Sequence, residues 1–171
     1  MSVTRYRIAA TAAVVAALAL LPAGLAQAEP AAPETPPAPQ VGSACIADLD
    51  GTMTLLPDGQ TYVICQQRPG GYGWTEAPIP FEPSNAWLSY GPTITLHGQG
   101  MRNPNVTSGN WTATPLDNDT TCRAEEQTVV EAGVLSDPQV FQGQQGQPMA
   151  VPMLPKLFYL QLSGRCLWSK N

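Results

Sequence analysis

Proline and glycine supply 18 and 15 of the 171 residues, about a fifth of the chain, well above ordinary usage. That density is the strongest constraint on what this sequence can fold into. Proline fixes φ and removes a backbone donor, and glycine weakens a helix interior by about 1 kcal/mol relative to alanine. From residue 41 onward such turn residues recur every 8–12 positions, which suits short strands and breaks helices. An all-β domain is therefore expected over 41–171, a mostly antiparallel sandwich or barrel. At about 130 residues this is the size of one domain.

What precedes residue 41 reads as two segments. Arg5 and Arg7 give a basic start, Ile8 to Leu21 is a run without charge, and Ala26-Gln27-Ala28 places small residues at a cleavage position. Together these predict a signal peptide over 1–28. The apolar run is shorter than the roughly 20 residues a spanning helix needs, so no membrane anchor is expected after cleavage. Glycine stands at position 42, where a lipid-attachment motif ending in Cys45 wants an aliphatic residue. Residues 29–40 carry five prolines and read as a Pro/Ala-rich linker.

Charge narrows the partners. The signal segment holds two of the eight basic residues and none of the thirteen acidic ones, so the mature chain carries six against thirteen, a net −7. An acidic chain lacks the basic face that nucleic acid requires. The expected localisation is secreted, extracellular or cell wall, with a monomer as the expected state.

Four cysteines in an exported chain imply two disulfides, for which three pairings exist. The expected pairs are Cys45–Cys65, closing an N-terminal hairpin over 41–66, and Cys122–Cys166, tying a middle strand to the last one within the main sheets of 87–171. No Cys-x-x-Cys pair occurs and His97 is the single histidine, so no zinc set is present and no cofactor is expected.

Strand candidates follow from alternation. Thr52 to Leu56 and Thr61 to Cys65 flank Pro57-Asp58-Gly59-Gln60, a hairpin signal. Thr93 to His97, Asn110 to Thr114, Gln147 to Met153 and Leu157 to Ser163 follow. Residues 123–132 are ambiguous. Their Ala, Glu and Gln favour helix, but Cys122, Ala124, Thr128, Val130 and Ala132 fall on alternate positions, which favours strand.

Gly42-Ser43-Ala44-Cys45, Pro57-Asp58-Gly59, Cys65 and Gly73-Trp74 form one set of landmarks. Gly109-Asn110-Trp111, Cys122 and Gly164-Arg165-Cys166-Leu167-Trp168 form another. This pattern resembles small exported, disulfide-containing proteins of actinobacteria, of the mycobacterial type. The resemblance implies a β fold and an envelope or extracellular location, and it brings no catalytic residues.

Two chemistries compete for the function. Asp48-Leu49-Asp50-Gly51-Thr52 resembles the first motif of haloacid-dehalogenase-type phosphatases. There one carboxylate attacks phosphorus, a second works as acid and base, and Mg²⁺ offsets the charge. That alternative implies a metal-dependent phosphatase using Asp48 and Asp50. It also requires an α/β sheet and a later Lys, whereas Lys156 and Lys170 both lie near the end. The acidic residues Asp117, Asp119, Glu125 and Glu126 match no calcium loop. No Gly-x-Ser-x-Gly surrounds Ser84, Ser89 or Ser108 to make a partner for His97.

The aromatic residues are the stronger lead. Tyr72, Trp74, Trp87 and Tyr90 fall in a Pro/Gly-rich stretch expected to lack regular structure. Exposed on a loop, they would stack on a glycan or anchor a protein partner. Trp111 and Trp168, on predicted strands near cysteines, are expected in the core. The expectation is a non-catalytic binding or interaction module, with a purely structural envelope protein as a further alternative.

Overall fold

A computed structural model of the chain describes residues 37–171. The expected signal peptide over 1–28, and the linker as far as residue 36, lie outside the described residues. Among the described residues no helix is long and apolar enough to cross a membrane.

The expected hairpin is present as β1 (Met53–Leu55) and β2 (Tyr62–Arg68), paired antiparallel. Its turn is held by one side chain. Asp58 Oδ1 accepts from the backbone N–H groups of Gln60 and Thr61, each at 2.9 Å, and Oδ2 accepts from the Thr61 hydroxyl at 2.6 Å. These bonds, the Thr61 hydroxyl foremost, hold the Asp58 carboxyl below its ordinary pKa. Gly59 takes the positive φ of +70° that lets the turn close.

β2 turns at Pro69-Gly70 into β3 (Gly71–Glu76). Tyr72 and Trp74 therefore sit on a strand rather than in the irregular stretch expected for them. The next strand, β4 (Ala86–His97), begins well before the expected Thr93 and carries Trp87 and Tyr90. The remaining strands are β5 (Gly109–Pro115), β6 (Arg123–Glu131), β7 (Val134–Leu135), β8 (Gln139–Gln142), β9 (Met149–Met153) and β10 (Leu157–Lys170). The ambiguous 123–132 segment is a strand.

β10 is the spine. Along one edge it pairs with the whole of β4, from Tyr159↔His97 to Ser169↔Ala86. Along the other edge it forks, with Leu157 to Ser163 pairing β6 and Cys166 to Lys170 pairing β5. At the fork the β4 ladder shifts register between Leu162 and Gly164, and Gly164 faces Gly91. Both glycines have positive φ, +86° and +129°, so the two central strands bend together there. The sheet runs β3-β2-β1-β4-β10-β5-β9, with β1 parallel to β4 and the rest antiparallel, and does not close into a barrel.

The fold is thus all-β with both expected disulfides, Cys45–Cys65 and Cys122–Cys166. The main core gathers Trp87, Leu96, Trp111, Leu160, Leu162 and Trp168, all at most 1 % exposed. A second cluster of Leu49, Val63, Cys65, Trp74 and Leu88 covers the opposite face of the N-terminal strands. Burial on both faces explains why β4 reads Ala-Trp-Leu-Ser-Tyr without clean alternation.

Candidate functional site

The second cluster is roofed by the segment that precedes β1. Residues 42–45 run along the outer edge of β3 as an added strand. The N–H of Gly42 donates to Trp74 O at 2.8 Å, Trp74 N–H to Ser43 O at 2.9 Å, and Cys45 N–H to Tyr72 O at 3.2 Å. The Arg68 guanidinium donates to the carbonyls of Gly42 and Ser43. The Cys45–Cys65 bridge fastens this strap to β2. Ahead of it Pro39 is buried and Ala38 packs against the main core, so the last linker residues already lie on the domain. After it, the 3₁₀ turn Ala47–Leu49 tucks Leu49 into the second cluster.

Between strap and sheet lies a cleft of about 380 Å³. Its floor is Leu49, Trp74, Leu88 and Tyr90, and its two lips are Ile46 on the strap and Leu116 just past β5. Ile46 is 60 % exposed and Leu116 37 %, two of the few large apolar side chains that face solvent among the described residues. Arg165 stands on the Leu116 side. It is paired with Tyr90 across the β10–β4 ladder, and its carbonyl accepts the Leu116 N–H at 2.9 Å. Leu116, Arg165 and Tyr90 therefore form a row across three strands. The guanidinium meets one carboxylate oxygen of Asp117 at 3.4 Å. The Thr120 hydroxyl, helped by the Asp119 N–H and the Arg165 charge, keeps Asp117 below the ordinary carboxylate pKa. The Tyr90 hydroxyl donates to Leu55 O at 3.1 Å, and burial, with Asp58 nearby, raises its pKa.

The four aromatics singled out from the sequence do not form one exposed face. Trp74 and Tyr90 meet in the cleft, but only 3 % and 7 % of each is exposed. Trp87 is fully buried, edge-on to Tyr62 with ring centroids 6.1 Å apart. Tyr72 is half-buried on β3, outside the cleft. Buried rings in a packed sheet leave edges, not faces, for a ligand. Ile46, Leu88 and Leu116 are among the cleft residues that the sequence did not single out.

The remaining candidates are dispersed. Asp48 and Asp50 are exposed on and after the 3₁₀ turn, in an all-β chain that lacks the α/β sheet their motif requires. Among the described residues no three His, Cys, Asp or Glu side chains gather as a metal set. Glu125 pairs with Arg123 at 2.6 Å, Asp117 with Arg165, and Glu126 points into the core. Ser84 bonds Ala86, Ser108 bonds Gln99, and Ser89 accepts the Trp168 indole N–H at 2.8 Å. His97 lies with its ring 5.9 Å from Tyr159. No family model, curated protein or solved structure matches the chain.

Proposed function

We propose that this is an exported β domain acting outside the cell or in the cell envelope as a non-catalytic binding module, with the strap–sheet cleft as its site. The observation that carries the reading is the placement of Ile46 and Leu116. Solvent-facing apolar side chains scattered singly mean little, but apolar lips on both sides of one concave, apolar-floored cleft suit a ligand. The chemistry favours an apolar side chain of a protein partner over a glycan, because sugar stacking needs an open aromatic face and Trp74 and Tyr90 are covered. Export is supported by the basic, apolar and Ala-Gln-Ala succession of 1–28, and by two disulfides of a kind that persists in oxidising compartments.

The cleft is tested with the apolar reporter 8-anilinonaphthalene-1-sulfonate. Fluorescence titration is expected to find one site per chain, lost in Leu116→Asp with an unchanged thermal midpoint. Equal binding by wild type and variant would remove the cleft from the argument. Export is tested separately by the intact mass of protein recovered from its producing cells, expected to begin at Glu29 and to be four hydrogens lighter than the reduced chain.

A further inference from the structure

The two disulfides sit in different surroundings. Cys122 and Cys166 are both fully buried, beneath the fork of β10. Cys65 is fully buried as well, but Cys45 is only half-buried and lines the cleft. Exchange requires a thiolate to reach a sulfur, so access separates the two bridges.

We infer that Cys45–Cys65 is a thiol-exchange site for an external dithiol, and that it is the latch of the strap. The thiolate of the dithiol attacks Cys45 Sγ. The sulfur–sulfur bond breaks and its electron pair leaves on Cys65 Sγ, which takes a proton. The second thiol of the reagent then attacks the mixed disulfide, releasing Cys45 as a thiol and the reagent as its own cyclic disulfide. One disulfide is consumed and one is formed, and the protein gains two hydrogens. The buried product has a partner in place, since Cys65 Sγ lies 3.6 Å from the carbonyl oxygen of Ile46 and the new thiol can donate to it.

Opening the latch leaves the strap held by its three backbone bonds to β3, by the Arg68 guanidinium on the Gly42 and Ser43 carbonyls, and by the burial of Pro39 and Leu49. The sheet itself loses no strand, because the bridge joins β2 to the strap and not to another strand. The reduced protein therefore keeps its main core while one wall of the cleft becomes mobile. The chemistry of exchange stands whether or not the cleft is a binding site. Only the effect on the cleft rests on that reading.

The test is timed reduction of the native protein with dithiothreitol at pH 8, quenched with iodoacetamide and mapped by peptide mass. Cys45 and Cys65 are expected to be alkylated at least about tenfold faster than Cys122 and Cys166, with near-ultraviolet circular dichroism from the tryptophan core retained. Equal rates, or faster loss of Cys122–Cys166, would overturn the assignment, as would resistance of both bridges until the protein unfolds. A Cys45→Ala/Cys65→Ala variant supplies the second reading. It is expected to fold with its core spectrum intact, and a variant that fails to fold would show a structural clamp rather than a latch. Reporter binding is compared between oxidised and reduced protein: no binding to the oxidised protein fails the cleft, and equal binding to both fails the latch.

Discussion

Glu126 offers the sharpest test of the packing. It lies on β6 between Gln139 of β8 and Leu160 of β10, fully buried, with no ion pair among the described residues. One carboxylate oxygen accepts the Leu154 N–H at 3.4 Å, and Oε1 has no partner among those residues. Burial pushes its pKa from 4.5 up to about 7, against the small opposing pull of the Leu154 N–H. Between those two values the folded chain binds a proton that the unfolded chain releases. Stability therefore falls as pH rises from about 4.5 to about 7, and levels off above. At about 1.4 kcal/mol for each tenfold change, the ionised carboxylate costs the fold on the order of 3 kcal/mol at pH 8. Glu126→Gln keeps the shape and removes the charge. Its amide brings two buried N–H donors where the protonated acid brings one O–H, so the variant is expected to be somewhat less stable than wild type at pH 4.5. Urea unfolding from pH 4.5 to 8.5 should show the variant gaining about 3 kcal/mol on wild type as pH rises. A stability difference that does not move in the variant's favour between pH 4.5 and 8 would refute the burial argument.

Two further outcomes probe the bend and the core. A Cβ on Gly164 would collide with the Thr121 carbonyl oxygen and come within 3.2 Å of Cys166 Sγ, at a φ of +86°, so Gly164→Ala should lower stability in urea by about 2 kcal/mol or more; an unchanged midpoint would show that the fork is not tightly packed. Ser89→Ala removes the acceptor for the Trp168 indole N–H inside the core and should cost about 1–3 kcal/mol, read by thermal unfolding together with a shift in tryptophan emission.

The all-β class was legible because recurring turn residues limit element length. The 57–60 hairpin followed from a local signal, whereas the cysteine pairs are one of three possible sets and the structure selects the expected one. The long central strands did not. Gly91-Pro92 and Gly164 look like strand ends, yet they mark the place where two paired strands bend and continue. A breaker that faces another breaker across a ladder terminates nothing, and only the pairing shows this. The sequence of β3 suggests irregular structure because Pro and Gly crowd the stretch around it. Its outer edge is hydrogen-bonded by the strap, and Arg68 occupies the space a side chain at Gly73 would fill. Glu126 interrupts the apolar alternation of 123–132, yet the alternation of Ala124, Thr128 and Val130 around it favours strand, and the segment is a strand.

The cleft was less legible, and the cause is topological. One part of its lining comes from within residues 37–46, and the rest from positions 49, 74, 88, 90, 116 and 165, which share no period or motif. Tyr90 and Arg165 become neighbours only through the β4–β10 register, and Leu116 joins them only because β10 forks and gives its other edge to β5. The opposite lip has a different origin. An uncovered β3 would present unpaired N–H and C=O groups to any other chain, and residues 42–45 satisfy that edge from within the same molecule. The strap then leads through Ile46 into the turn that buries Leu49, and the cleft lies between this segment and the floor residues Trp74 and Leu88. On this argument the strap protects the edge and forms the site together. Any change that loosens it, at Cys45, Cys65 or Arg68, should weaken binding and raise the tendency to associate through β3 in parallel.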